Sequence, residues 1–248
     1  MIEPVAPVGF QMRKELDTVA VGLDAFPAYV YKFHYDFKWD SGLGDKVEQY
    51  LNDTKELIKK CNLSDPEADG GISSVHWNYS NTIESVAKSG QGGDYGEHPF
   101  GLPKDWPEFK EFYTYMNYIL GLISVEWGYN PEWDRRISEA WMNVHPKGGW
   151  TTEHHHQNAM FATTAYMNKP NNSGNFMVRN PLEIFKKSEP TEYSYWRDEK
   201  YWAPIEVETG DVLVFPGWLT HKTEVNKSEE RRYILSSNYV PVRSVDKS

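Results

Sequence analysis

The sequence predicts an α+β protein, with two helices in its first half and an all-β body after them. Two segments ahead of residue 130 combine helical periodicity with matching start and stop residues. From Ser138 onward, seven short β-type runs follow one another, with turn residues between them and no helical pattern. Closely spaced strands of this kind build a sandwich, a barrel or a jelly roll.

In chain order, "AYVYKFHYDF" alternates and is rich in aromatics, which reads as a strand. "DKVEQYLNDTKELIKKCN" places Val47, Leu51, Leu57 and Ile58 near helical spacing, with Asp at its start and Asn at its end. The Gly- and Ser-rich stretch 69–101 reads mostly as loop with one short strand inside, a length that often marks a lid or binding loop. "KDWPEFKEFYTYMNYILGLISVEWG" is the second helix, with Pro107 in its first turn and Gly128 just past its end. The β runs are "ISEAWMNVHP", "MFATTAYMNKP", "GNFMVRNP", "YWAPIEVETG", "DVLVFPGW", "LTHKTEV" and "RRYILSSNYVPV". The expected organisation is a single domain over 1–248, with a helical and loop part over about 1–137 and a β core over about 138–243.

Composition narrows the function classes. A chain of 248 residues with 39% hydrophobic and 25% charged residues is globular. A net charge of −10, with no Lys/Arg-rich run, argues against nucleic-acid binding as the main purpose. Cys61 is the single cysteine, so no internal disulfide forms, which fits a reducing compartment. The first residues carry no basic segment leading into an apolar run, and "YILGLISV" is too short to span a membrane. A soluble, cytoplasmic protein is the expectation.

The chemistry gathers around "TEHHHQN". Alternate residues of an extended chain share a face, so either His154 and His156 or Glu153 and His155 act together. Alone, the triplet reads as a surface loop of neutral imidazoles. His221 and Arg232 downstream change the balance. A hairpin turn centred on Asn226–Lys227 would set His221 opposite Arg232 on neighbouring antiparallel strands. Non-haem Fe(II) sites take ligands from one strand end plus a distal strand and keep open positions. An arginine offers a bidentate fork to the carboxylate of a keto acid. Arg231 is expected to pair with Glu229 or Glu230 instead. Trp127, Trp133, Trp150 and Trp202 are expected as core and loop anchors.

"WMNVHPKGGWTTEHHHQNAMFATTAYMNKPNNSGNFMVRNP", with "GDVLVFPGWLTHKTEVNKSEERRYILSSN", resembles the 2-oxoglutarate/Fe(II) oxygenases of bacteria and their viruses, a family related to the prolyl hydroxylases. The matching positions are Trp141 and Asn143, Gly148 and Gly149, His154 and His156, Tyr166, Ser173-Gly174, Gly210-Asp211, Phe215-Pro216, His221, Arg232 and Asn238, covering roughly 138–240. The resemblance implies a double-stranded β-helix (jelly roll) with the N-terminal helices packed against it. It also implies an Fe(II)- and 2-oxoglutarate-dependent oxygenase, a hydroxylase of a small-molecule or peptide substrate. Its iron would sit on His154, His156 and His221, and its keto acid on Arg232, with Asn143 and Tyr166 beside it. One departure stands out: no acid follows two residues after any histidine of the triplet, which leaves His156, Glu153 or a water as the third ligand. The alternatives are a three-histidine metal dioxygenase or cupin-like enzyme without keto acid, and a non-catalytic jelly-roll binding module. The segments 69–101 and 186–202 would frame the substrate's entrance.

Overall fold

The computed structural model describes residues 20–25, 28–61, 72–73, 106–130, 133–181 and 201–243. Among these residues ten strands form: β1 (Ala20–Ala25), β2 (Ala28–His34), β3 (Ile72–Ser73), β4 (Trp133–His145), β5 (Phe161–Asn168), β6 (Phe176–Arg179), β7 (Trp202–Ile205), β8 (Asp211–Pro216), β9 (His221–Thr223) and β10 (Arg232–Arg243). Two helices, α1 (Leu43–Cys61) and α2 (Pro107–Glu126), lie where periodicity put them. Pro107 starts α2, and Gly128 takes a left-handed backbone just past its end. Most of 69–101, and 186–200, lie outside the described residues.

The strands make two antiparallel sheets. The larger runs β1-β2-β8-β5-β10-β4-β3, and the smaller runs β7-β6-β9. His154 adds one further bridge to the smaller sheet by pairing with His221. Period-two alternation sorts the side chains of the larger sheet. Tyr233 and Leu235 of β10, Met142 and Val144 of β4, and Val212 and Val214 of β8 face α2, where they join Phe112, Met116 and Ile119 in one buried cluster. The opposite face of that sheet contributes Ile234, Leu213, Phe215 and Tyr166, which meet Phe176, Val178 and Ile205 of the smaller sheet. The result is a jelly roll with helices on one outer face. Three prolines lie within strands, and Pro216 is the last residue of β8. Pro204 is on edge strand β7, and Pro241 lies beyond the last β10–β5 pair at Tyr239.

Three expectations change. β4 begins at Trp133, and β1 and β2 from the first half extend the large sheet, so the β body is not confined to residues after 138. β9 and β10 are not a hairpin: β9 pairs with β6, and β10 pairs with β4 and β5, so the connection between them crosses from one sheet to the other. Fully buried Asn226 explains this. Its Nδ2 donates to the carbonyls of His145 (2.9 Å) and Glu230 (2.8 Å), and its backbone bonds Gly148 and Gly149, which pins the connection to the end of β4. Trp133 is 40% exposed and anchors no core, whereas Trp127 packs on Phe161 and Trp202 is buried under Lys222.

Candidate metal and keto-acid site

The cavity between the sheets opens on three imidazoles. Ligating nitrogens of His154, His156 and His221 all lie within 4.8 Å of one another. Ring centroids are 4.2 Å apart for His154–His221, 5.0 Å for His154–His156 and 5.2 Å for His156–His221. The backbone sets these positions. His154 and His221 exchange N–H···O bonds of 3.0 and 2.9 Å, and the His156 N–H donates to the Gly217 carbonyl at 2.8 Å. Gly217 has to be glycine, because a Cβ there would stand 2.1 Å from the Ala159 carbonyl oxygen.

The phase of the triplet follows from a β-bulge. His154 pairs with His221, but the Thr223 N–H donates to the carbonyl of Thr151 at 3.1 Å. Thr152 and Glu153 therefore stand opposite the single residue Lys222. Regular alternation from Thr151, which lines the cavity, would have turned Glu153 and His155 inward; the extra residue turns His154 and His156 inward instead. His155 is exposed, and Glu153 is exposed and ion-paired with Arg179. Among the described residues, no carboxylate belongs to the cluster.

Hydrogen bonds orient the rings. His154 Nδ1 lies 2.8 Å from the Thr152 carbonyl and His221 Nδ1 lies 2.8 Å from the Leu219 carbonyl, so each neutral ring donates there through Nδ1. The Asn238 amide lies 3.3 Å from His156 Nδ1 and serves the same purpose when its oxygen faces that N–H. Burial, followed by the neighbouring His154 and His155, holds His156 down to about 3. Burial, followed by His154 and His156, holds His221 well below the usual histidine value. Neutral imidazole is the form that ligates a metal, so three rings with converging ligand atoms, two of them held neutral by burial, fit a divalent ion. The space among them, lined also by Trp141, Asn143, Thr164 and Phe215, is about 30 Å³, enough for an ion or a water.

The second half of the site lies further along β10. Asn238 touches His156, Ser236 pairs with Trp141, Ile234 lies between Asn143 and Tyr166, and Arg232 pairs with His145. Arg232 is fully buried. Its Nη1 donates to the Ser173 carbonyl, and its Nη2 donates to Thr223 Oγ1 (2.9 Å) and the Glu224 carbonyl (3.1 Å). Its Nε donates to His145 Nδ1 at 3.4 Å. Of five N–H donors, one on Nη1 remains, so the expected two-bond fork is reduced to a single bond. Arg232 has no carboxylate within ion-pair distance among the described residues; Arg231 pairs with Glu48, not with Glu229 or Glu230. The buried hydroxyls of Tyr166 and Ser173 have no hydrogen-bond partner. Asn143, half-buried, reaches Ser236 Oγ at 3.4 Å. A buried cation without a counter-ion, beside unpartnered hydroxyls, fits the carboxylate end of an acid ligand.

Sequence reasoning missed His145, Thr151, Ser173 and Thr223 as members of this seat. Ser173 stood in the small-residue turn before Gly174, whose positive φ and close approach to Glu224 exclude a side chain. His145 carried no signal beyond ending a strand.

Two antiparallel sheets enclosing a three-histidine cluster and a buried arginine define a jelly-roll protein with a candidate metal site. Residues 139–238 match the family model described as "Putative 2OG-Fe(II) oxygenase". No curated protein matches the chain. Among solved structures, the chain is similar to a 2OG-Fe(II) oxygenase family oxidoreductase from Burkholderia pseudomallei (14% identity, 48% of this chain and 50% of the other, TM-score 0.35). It is also similar to a Pseudomonas putida prolyl-4-hydroxylase (14% identity, 56% and 67%, TM-score 0.39). A third is the alpha ketoglutarate dependent epimerase SnoN of nogalamycin biosynthesis (12% identity, 76% and 81%, TM-score 0.41). The chain spans half the length of the first of these. No described helix is long and apolar enough to cross a membrane.

Proposed function

We propose that this protein is an Fe(II)- and 2-oxoglutarate-dependent oxygenase that hydroxylates a small molecule or a peptide. His154, His156 and His221 would hold the iron, and Arg232, Tyr166 and Asn143 the keto acid, within one domain whose N-terminal elements share the body's core. The observation that carries this reading is Arg232, a fully buried charge with no carboxylate partner, on the strand that also touches the histidine cluster. A three-histidine dioxygenase that binds no keto acid would have no carboxylate to set against that charge.

Bound there, Fe(II) and 2-oxoglutarate supply the oxidation: dioxygen and the keto acid are consumed, succinate and carbon dioxide leave, and a substrate C–H becomes C–OH. The chain's own contributions are positional. Thr152 and Leu219 carbonyls hold two imidazoles with Nε2 inward. The remaining Nη1 N–H of Arg232 and the Tyr166 hydroxyl would hold the far carboxylate of the keto acid. Phe176, Phe215 and Ile234 keep water out.

Anaerobic titration tests this directly. Fe(II) with 2-oxoglutarate should give a visible charge-transfer band in the wild type that disappears in His221→Ala. A wild type that binds iron but shows no band, with activity indifferent to Arg232→Met, favours the three-histidine dioxygenase without keto acid, the reading to which the absence of a carboxylate ligand lends weight.

A further inference from the structure

The imidazole of His145 belongs to the arginine half of the site and also bonds Thr151, which lines the histidine cavity. Its ring is 3% exposed and sits at the end of β4, directly opposite Arg232 in the β4–β10 ladder. Nδ1 faces the Arg232 guanidinium, 3.4 Å from Nε and 3.3 Å from Nη2. Nε2 lies 2.9 Å from Thr151 Oγ1. A guanidinium only donates, so Nδ1 must carry the lone pair and Nε2 the proton. His145 is therefore a neutral ring with a fixed tautomer, accepting from Arg232 on one side and donating to Thr151 on the other.

Both partners matter to the chemistry. Thr151 is the residue that enters the bulge carrying His154, and its own N–H donates to Thr223 Oγ1 at 2.8 Å. Arg232 Nη2 donates to that same Thr223 hydroxyl. The ring thus closes a circuit of Arg232, His145, Thr151 and Thr223. The backbone of His145 is also fixed, since its carbonyl accepts from Asn226 Nδ2. An arginine with a single N–H left for ligand has little tolerance for rotation, because a turn of the guanidinium plane would aim that N–H elsewhere.

We propose that His145 is a positioning residue for the keto-acid site, its Nδ1 lone pair fixing the plane of Arg232 so that the one remaining Nη1 N–H points at the ligand carboxylate. The inference rests on the keto-acid reading above. It predicts an asymmetry between two conservative replacements. Asn at 145 puts an amide oxygen where Nδ1 stood and retains the acceptor; Gln reaches the Nε2 position and loses it.

The test is calorimetric titration of 2-oxoglutarate into anaerobic, Fe(II)-loaded wild type, His145→Asn, His145→Gln and His145→Phe, with iron content and urea midpoints measured in parallel. His145→Phe and His145→Gln should weaken 2-oxoglutarate binding by roughly tenfold or more, the scale of one charged hydrogen bond. His145→Asn should stay within about threefold of the wild type. Iron binding should be equal in all four. Equal weakening in Asn and Gln, or wild-type affinity in both, overturns the proposal, and this pair decides even where His145→Phe does not fold. A wild type that takes up iron but no 2-oxoglutarate overturns the keto-acid reading and this inference together. One that binds both ligands, without the Asn/Gln difference, overturns this inference alone.

Discussion

Glu153 and His156 are three positions apart and have opposite fates. The carboxylate points outward to Arg179, while the imidazole packs 5.7 Å from Trp141 and faces His221. Glu153→Ala should therefore leave iron retention unchanged and cost under about 1 kcal/mol, the usual value of an exposed ion pair. His156→Ala should reduce iron content after gel filtration to a small fraction of the wild-type level. Equal iron loss in both variants would falsify the assignment. At this scale the sequence named His154, His156 and His221, which line one cavity, and Arg232, which lies on the strand that borders it. Their individual chemistry was less so. No spacing rule shows that the fork of Arg232 is largely taken by the carbonyls of Ser173 and Glu224, because those carbonyls arrive from turns distant in sequence.

Elements were read well wherever the signal is local. Periodicity and a starting proline set α2, and short β-type runs between turn residues set β4, β5 and β10. The failure was the β9–β10 link, where a polar turn between two strands looks like a hairpin. Only Asn226, bonded to a β4 carbonyl far from it in sequence, sends the chain to the other sheet. The bulge at Thr152–Glu153 was equally invisible, since an added residue in a ladder shows only once its partner strand is known. Asn226→Ala is the element-scale prediction. It removes the bonds to His145 and Glu230 and leaves buried carbonyls unpaired, so the urea midpoint should fall by an amount equivalent to about 2–4 kcal/mol. A change within error would show that the link is held by its backbone bonds alone.

At the scale of the whole molecule, the buried histidines set the response to acid. Burial, followed by the charge of Arg232, depresses His145 to about 3, and His156 is likewise depressed to about 3. Each takes up a proton in the unfolded chain below about 6.5 but not in the folded one until pH nears 3, so the unfolded state binds more protons across that window. Stability of the metal-free protein should be flat above neutrality and fall progressively as pH drops from about 6.5, by a few kcal/mol before pH 4. Urea titrations at pH 7.5 and 5 check this, and an unchanged midpoint would contradict the neutral-ring assignment.

The bridge between His154 and His221 has one more implication. The strand bearing the triplet joins the smaller sheet through a single bridge pair and a bulge, so the sheet is closed there by few backbone bonds. An ion shared by His154, His156 and His221 would act as a clasp on that seam. Removing it would leave a sheet edge free to open and to seek another strand, a known route to self-association. Metal supply would then govern how long the protein survives in dilute solution, independently of turnover.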